Sequence, residues 1–80
     1  MLPHISNIEV LDNYRIKLKF NDGITKVVDF QRFIGNDPLT KPLADKEYFK
    51  KVKLYDRGRG IYWENGYDFC PDYLHELETS

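Results

Sequence analysis

The chain is poor in the residues that carry redox and metal chemistry, with one cysteine and two histidines in 80 residues. A single cysteine, Cys70, excludes an intrachain disulfide, so the fold does not depend on an oxidising compartment. Zinc needs three or four ligands, whereas Asp72 and His75, one helical turn apart, supply two. The chain also lacks any run approaching the ~20 apolar residues of a membrane span. Its start, Met1-Leu2-Pro3-His4, has no basic region followed by an apolar stretch, so no secretory leader is expected and a cytoplasmic location is. Charge of one sign is absent too. The formal net charge is -1, which gives no global attraction to nucleic acid or to an anionic membrane. No glycine-rich phosphate loop is present. Gly58-Arg59-Gly60 lacks the following helix and the Lys-Ser/Thr pair that phosphate binding uses, and reads as a flexible hairpin turn.

What the chain does have is the composition of a folded domain, 41% hydrophobic and 15% aromatic. Its length suits one domain over residues 1–80 with one modest core. The charges are balanced in sum but not in place. Residues 46–59 hold six basic side chains (Lys46, Lys50, Lys51, Lys53, Arg57, Arg59) against Glu47 and Asp56. Residues 60–80 hold five acids (Glu64, Asp68, Asp72, Glu76, Glu78) and no Lys or Arg. The plain reading is a solvated surface whose signs pair within the fold.

Periodicity sets the elements. A first strand over 5–11 places Ile8 and Val10 on one face, and Asp12-Asn13 marks a turn. Over 14–20, Ile16, Leu18 and Phe20 alternate with Arg15, Lys17 and Lys19, the period of a half-buried strand. Asn21-Asp22-Gly23 tolerates positive φ and signals a tight hairpin. Thr25, Val27 and Val28 favour a third strand over 24–30. Asp29 is placed to cap a short helical turn over 30–34, ended by Gly35. Two prolines make 36–42 a loop. Asp45 suits the N-cap of a helix over 46–51, with Tyr48, Phe49 and Val52 facing the core. Residues 52–55 and 61–63 read as strands four and five, and Asn65-Gly66 as another tight turn. Pro71 fits the first position of a helix running to about residue 77, and residues 78–80 are expected to fray.

The candidate chemical groups have structural readings. Asp22 belongs to a turn and Asp29 to a cap, while Asp68 follows the Asn-Gly turn and can accept backbone N–H groups there. A nucleophilic Cys70–His75 pair would lack an orienting third group, so Cys70 reads as a small buried apolar residue. The aromatics Tyr55, Tyr62, Trp63, Tyr67 and Tyr73 cluster in the second half, interleaved with Arg57 and Arg59. Alternation buries Trp63 and leaves Tyr55, Tyr62 and Tyr67 partly exposed. Tyrosine and arginine together fit a protein-binding patch.

The phrases Phe20-Asn21-Asp22-Gly23, Val28-Asp29-Phe30 and Pro42-Leu43, then Phe49 and Val52, resemble the small prokaryotic family called domain of unknown function 2442. The most specific part is Ile61-Tyr62-Trp63-Glu64-Asn65-Gly66-Tyr67-Asp68-Phe69 followed by Pro71 and Leu74. The resemblance implies a stand-alone α+β domain whose relatives occur alone or joined to a helix-turn-helix. It also implies a place among small operons suggestive of toxin–antitoxin pairs. This chain departs from the fused pattern in having no helix-turn-helix before Ser80. The family carries no catalytic residue to transfer.

The expected fold is therefore α+β. An antiparallel sheet of about five strands, an N-terminal meander plus a C-terminal hairpin, carries short helices on one face. The expected function is a non-catalytic interaction module without a cofactor or metal. It binds a protein partner or itself through Tyr55, Arg57, Arg59, Tyr62 and Tyr67. Asp22, Gly23, Asp29, Trp63, Asn65, Gly66, Asp68 and Pro71 are expected to be mainly structural. The alternative is a nucleic-acid-binding accessory protein using Lys50, Lys51, Lys53, Arg57 and Arg59.

Overall fold

The computed structural model describes residues 3–77; the fraying expected over 78–80 lies outside the described residues. The architecture is α+β, with two three-stranded antiparallel sheets and short helices. Strands β1 (Ile5–Val10), β2 (Arg15–Phe20) and β3 (Thr25–Asp29) form the first sheet in the order β1-β2-β3. Strands β4 (Lys53–Leu54), β5 (Ile61–Tyr62) and β6 (Asp68–Phe69) form the second. Helix α1 (Lys46–Phe49) precedes β4, and α2 (Pro71–Glu76) follows β6.

In β2 the alternation is complete, with Ile16, Leu18 and Phe20 buried and Lys17 and Lys19 exposed. β1 departs from strict alternation. Its pairing jumps from Ile5↔Phe20 to Asn7↔Lys19. The extra residue of this bulge changes the face of everything beyond it. Ile5 is buried, and Ile8 and Val10 pack against the same core, although Ile5 is odd-numbered and the other two are even.

Two hairpins use the same turn chemistry. In the first, Phe20 and Ile24 are bonded N–H to carbonyl, and Gly23 N–H returns to the Phe20 carbonyl. In the second, Trp63 and Tyr67 are bonded in the same way, and Gly66 N–H returns to Trp63. Asp22 Oδ1 accepts the Ile24 N–H at 3.0 Å, and Asn65 Oδ1 accepts the Tyr67 N–H at 3.1 Å. Each three-residue loop therefore has an Asx side chain to brace it and a glycine in the left-handed region, the form that matches strand twist.

One core lies between the sheets. Ile16, Leu18, Phe20 and Val28 from the first meet Ile61, Trp63 and Phe69 from the second, and α1 and α2 add Phe49 and Leu74. Thr40, 7% exposed, is polar among the buried residues. Its hydroxyl donates to Asp37 Oδ2 at 2.6 Å and accepts the Gly35 N–H at 3.0 Å. Asp37 also takes the N–H groups of Leu39 and Thr40. These bonds hold its carboxyl below the ordinary 3.8, the Thr40 hydroxyl most of all.

Several boundaries differ from the periodicity. The predicted loop over 36–42 runs into a 3-10 turn, Lys41–Ala44, because Pro42 fits the first turn of a helix. α1 is capped by Asp45 through the Glu47 N–H, but ends at Phe49, where Lys51 and Val52 turn back onto Tyr48 and Phe49. That turn also shortens the fourth strand. The sixth strand, beyond the expected five, is the two-residue return of the Trp63 hairpin, too short to show a period. The turn over 56–60 is closed rather than flexible: Gly58 and Gly60 are buried. Among the described residues no helix is long and apolar enough to cross a membrane.

Candidate functional site

The register of the second sheet separates its faces. Leu54, Ile61 and Phe69 lie opposite one another and point inward; Lys53, Tyr62 and Asp68 form the adjacent row and point out. Tyr55 continues the outward alternation just past β4 and is 36% exposed. Its ring stacks on Tyr62 with centroids 4.3 Å apart. Its hydroxyl donates to Asp68 Oδ2 at 3.0 Å. With the hydroxyl held, the stacked pair stands partly exposed on the outer face. The Asp68 carboxylate, first by that hydrogen bond and then by burial and its charge, raises the Tyr55 phenol above the ordinary 10.0.

This corrects the expectation for Asp68. β6 turns its side chain to the outer face, away from the Asn-Gly loop, and Asn65 takes the backbone N–H instead. The same alternation overturns the buried reading of Cys70. Phe69 points inward, so Cys70 points out and is exposed.

A titration checks the outer-face contact. Asp68→Asn removes the charge that holds the phenol proton, so the Tyr55 transition in a tyrosinate absorbance titration should move down toward 10.0. An unchanged transition would mean that the hydroxyl has no such partner. The sign for stability follows: a raised folded value favours folding below pH ~10 and is lost as the phenol ionises above it.

Arg57 and Arg59 lie beside Tyr55 in the turn between β4 and β5. Both are exposed, and neither has an ion-pair partner among the described residues. Tyr55, Asp56, Arg57 and Arg59 line a groove of about 280 Å³. Arg57 has φ 62°, left-handed backbone that costs a non-glycine residue roughly 1–2 kcal/mol.

Tyr67 does not join this face. It stands over Trp63 with centroids 6.0 Å apart and packs edge-on to Phe69, on the inner side of the sheet. Burial raises its phenol, with the Asp37 charge second. Trp63 is fully buried, and its indole N–H donates to the Phe49 carbonyl at 3.0 Å. Asp29 Oδ1 accepts the Gln31 N–H at 2.9 Å, bracing the turn after β3. Pro71 opens α2 and is buried.

The basic side chains of 46–59 are dispersed. Lys46 and Lys50 line a groove of about 250 Å³ with Tyr14 and Phe49. Lys53 pairs with Glu64 at 3.6 Å on the surface. That bridge alone joins the basic and acidic segments among the described residues, so the signs do not largely pair within the fold.

Sequence reasoning missed a junction. His75 Nε2 lies 2.8 Å from Asp22 Oδ2, 53 positions away, and the imidazole packs edge-on to Phe20 at 4.8 Å. Lys26 Nζ donates to the carbonyls of His75 and Leu77, a cation at a helix C-terminus. The Asp22 carboxyl is lowered first by the Ile24 N–H and then by His75. Asp22 is therefore both the brace of the first hairpin and its tie to α2. A second aromatic surface was also missed. Tyr73, 44% exposed, stacks on Phe69, and Phe33 sits under the Arg32 guanidinium at 5.0 Å. Among the described residues no three His, Cys, Asp or Glu side chains gather in a way that could hold a metal ion.

Comparison with known proteins supports the fold and little more. A crystal structure of a protein of unknown function from Rhodospirillum rubrum is similar, with a TM-score of 0.69 at 18% identity, over 94% of this chain and 87% of that one. None of the curated proteins compared matches this chain. A family model described as a protein of unknown function, DUF2442, matches residues 5–80.

Proposed function

The chain belongs to the DUF2442 family, and from that premise we propose that it is a non-catalytic module whose outer face on the second sheet binds a protein partner. The observation that carries this reading is the Tyr55–Tyr62 stack, braced by Asp68, with Arg57 and Arg59 beside Tyr55 and without ionic partners among the described residues. Tyrosine gives much contact area with few rotamers to freeze, and arginine adds a planar charged fork, which is why interfaces favour both. Arg57 keeps a strained backbone and makes no ion pair among the described residues; contact with an acidic group outside the chain would give that strain a use. A cytoplasmic accessory or antitoxin-like member of a small operon is the setting that fits such a module.

The nucleic-acid reading has less support. Its five basic residues do not line one groove, Lys53 pairs with Glu64, and Asp56 shares the groove of the arginines.

Co-purification from the native host tests the proposal. A specific protein should be retained by the parent and lost, by about tenfold or more, from a Tyr62→Ala/Arg57→Glu variant with a parental melting curve. A partner retained equally by both would remove this face from the proposal. Salt-sensitive duplex DNA binding at physiological ionic strength, abolished by reversing Lys50, Lys51 and Arg57, would favour the nucleic-acid alternative instead.

A further inference from the structure

A separate groove, on the flank where the β4–β5 turn meets the start of α2, carries charge of both signs. Its volume is about 300 Å³, and Pro3, His4, Arg59, Cys70, Pro71 and Asp72 line it. We infer that this groove is a two-fold interface on which a second copy of the same chain docks.

The argument rests on complementarity. Arg59 and Asp72 share the groove, both are exposed, and among the described residues neither forms an ion pair. Glu76, four residues beyond Asp72 on the same face of α2, is exposed and unpaired in the same sense. A uniformly acidic ligand would meet Arg59 well but place its charge against Asp72. A uniformly basic one would do the reverse. A second copy satisfies both, because a two-fold axis sets Arg59 of one copy against Asp72 of the other, twice. The floor suits a contact as well. Pro71 is buried and rigid, and Cys70 is exposed within the groove, so docking brings the Cys70 of both copies into one interface. This interface shares Arg59 with the tyrosine face but not Tyr55, Arg57 or Tyr62, which a dimer would leave available to another protein.

Sedimentation across a range of concentrations at low salt should show a monomer–dimer equilibrium that weakens as salt rises. Arg59→Glu or Asp72→Arg alone should weaken the dimer by about tenfold or more, because each acts twice across the axis. The double variant Arg59→Glu/Asp72→Arg restores the opposite charges and should restore the dimer. Mild oxidation should link Cys70 to Cys70 in the parent and the double variant, and much more slowly in either single variant. A strict monomer at high concentration and low salt would overturn the inference. So would a dimer indifferent to both reversals, which would have to use another face.

Discussion

Trp63→Ala should cost about 3–5 kcal/mol and leave the domain largely unfolded near physiological temperature. The ring is fully buried and touches aromatics from several elements: Phe30 after β3, Phe49 of α1, Phe69 of β6, and Tyr67. Removing it opens a cavity where both sheets and α1 meet, and a rigid aromatic lining cannot collapse to fill it. It also leaves the Phe49 carbonyl without the indole N–H, a buried acceptor whose loss adds to the penalty. Small domains have only ~5–15 kcal/mol in total, and one of this length stands toward the low end. Thermal melting followed by circular dichroism measures the effect. A variant that melts with the parent would place Trp63 outside the core and make it a contact residue.

The parts of the fold legible in the sequence were those fixed by local rules. β2 announces itself because three large apolar residues alternate with three cations, and the two Asx-Gly loops because few other residues accept that backbone. Asp45 and Pro71 read correctly as helix starts for the same reason. The family phrase from Ile61 to Phe69 is a run of such local signals, which is why the resemblance held over residues 5–80. Illegible were the features that depend on where the chain meets itself. The Asp22–His75 contact spans 53 positions, and no spacing rule reaches that far. The bulge in β1 has no residue signature, since Ser6 and Asn7 are ordinary strand-edge residues. β6 is two residues long, and with it went the orientation of Asp68 and Cys70. For the candidate site the consequence is mixed. Tyr55 stacks on Tyr62 and shares a groove with Arg57 and Arg59, while Tyr67 goes to the other side of the second sheet because it pairs with Trp63 across the hairpin.

The glycines of that second half separate two physical demands that a sequence cannot distinguish, and substituting them measures the difference. Gly58 and Gly66 both have positive φ, 68° and 94°. An alanine at either position meets left-handed backbone, a cost of roughly 1–2 kcal/mol. At Gly66 nothing lies within 4 Å of the added Cβ, so that cost should be nearly the whole effect. At Gly58 the Cβ would stand 2.1 Å from the Ile5 carbonyl oxygen and 2.9 Å from its N. Neither is a flexible side-chain tip. Ile5 is buried at the bulged end of β1, opposite Phe20, so the strand cannot retreat without disturbing the core. Gly58→Ala should therefore destabilise the domain by more than Gly66→Ala, by at least about 1–3 kcal/mol, the usual cost of overpacking. Equilibrium urea unfolding of the two variants gives the comparison directly. Equal midpoints would mean that the 56–58 turn does not press against β1, and the closed turn that presents Arg57 and Arg59 would lose its anchor.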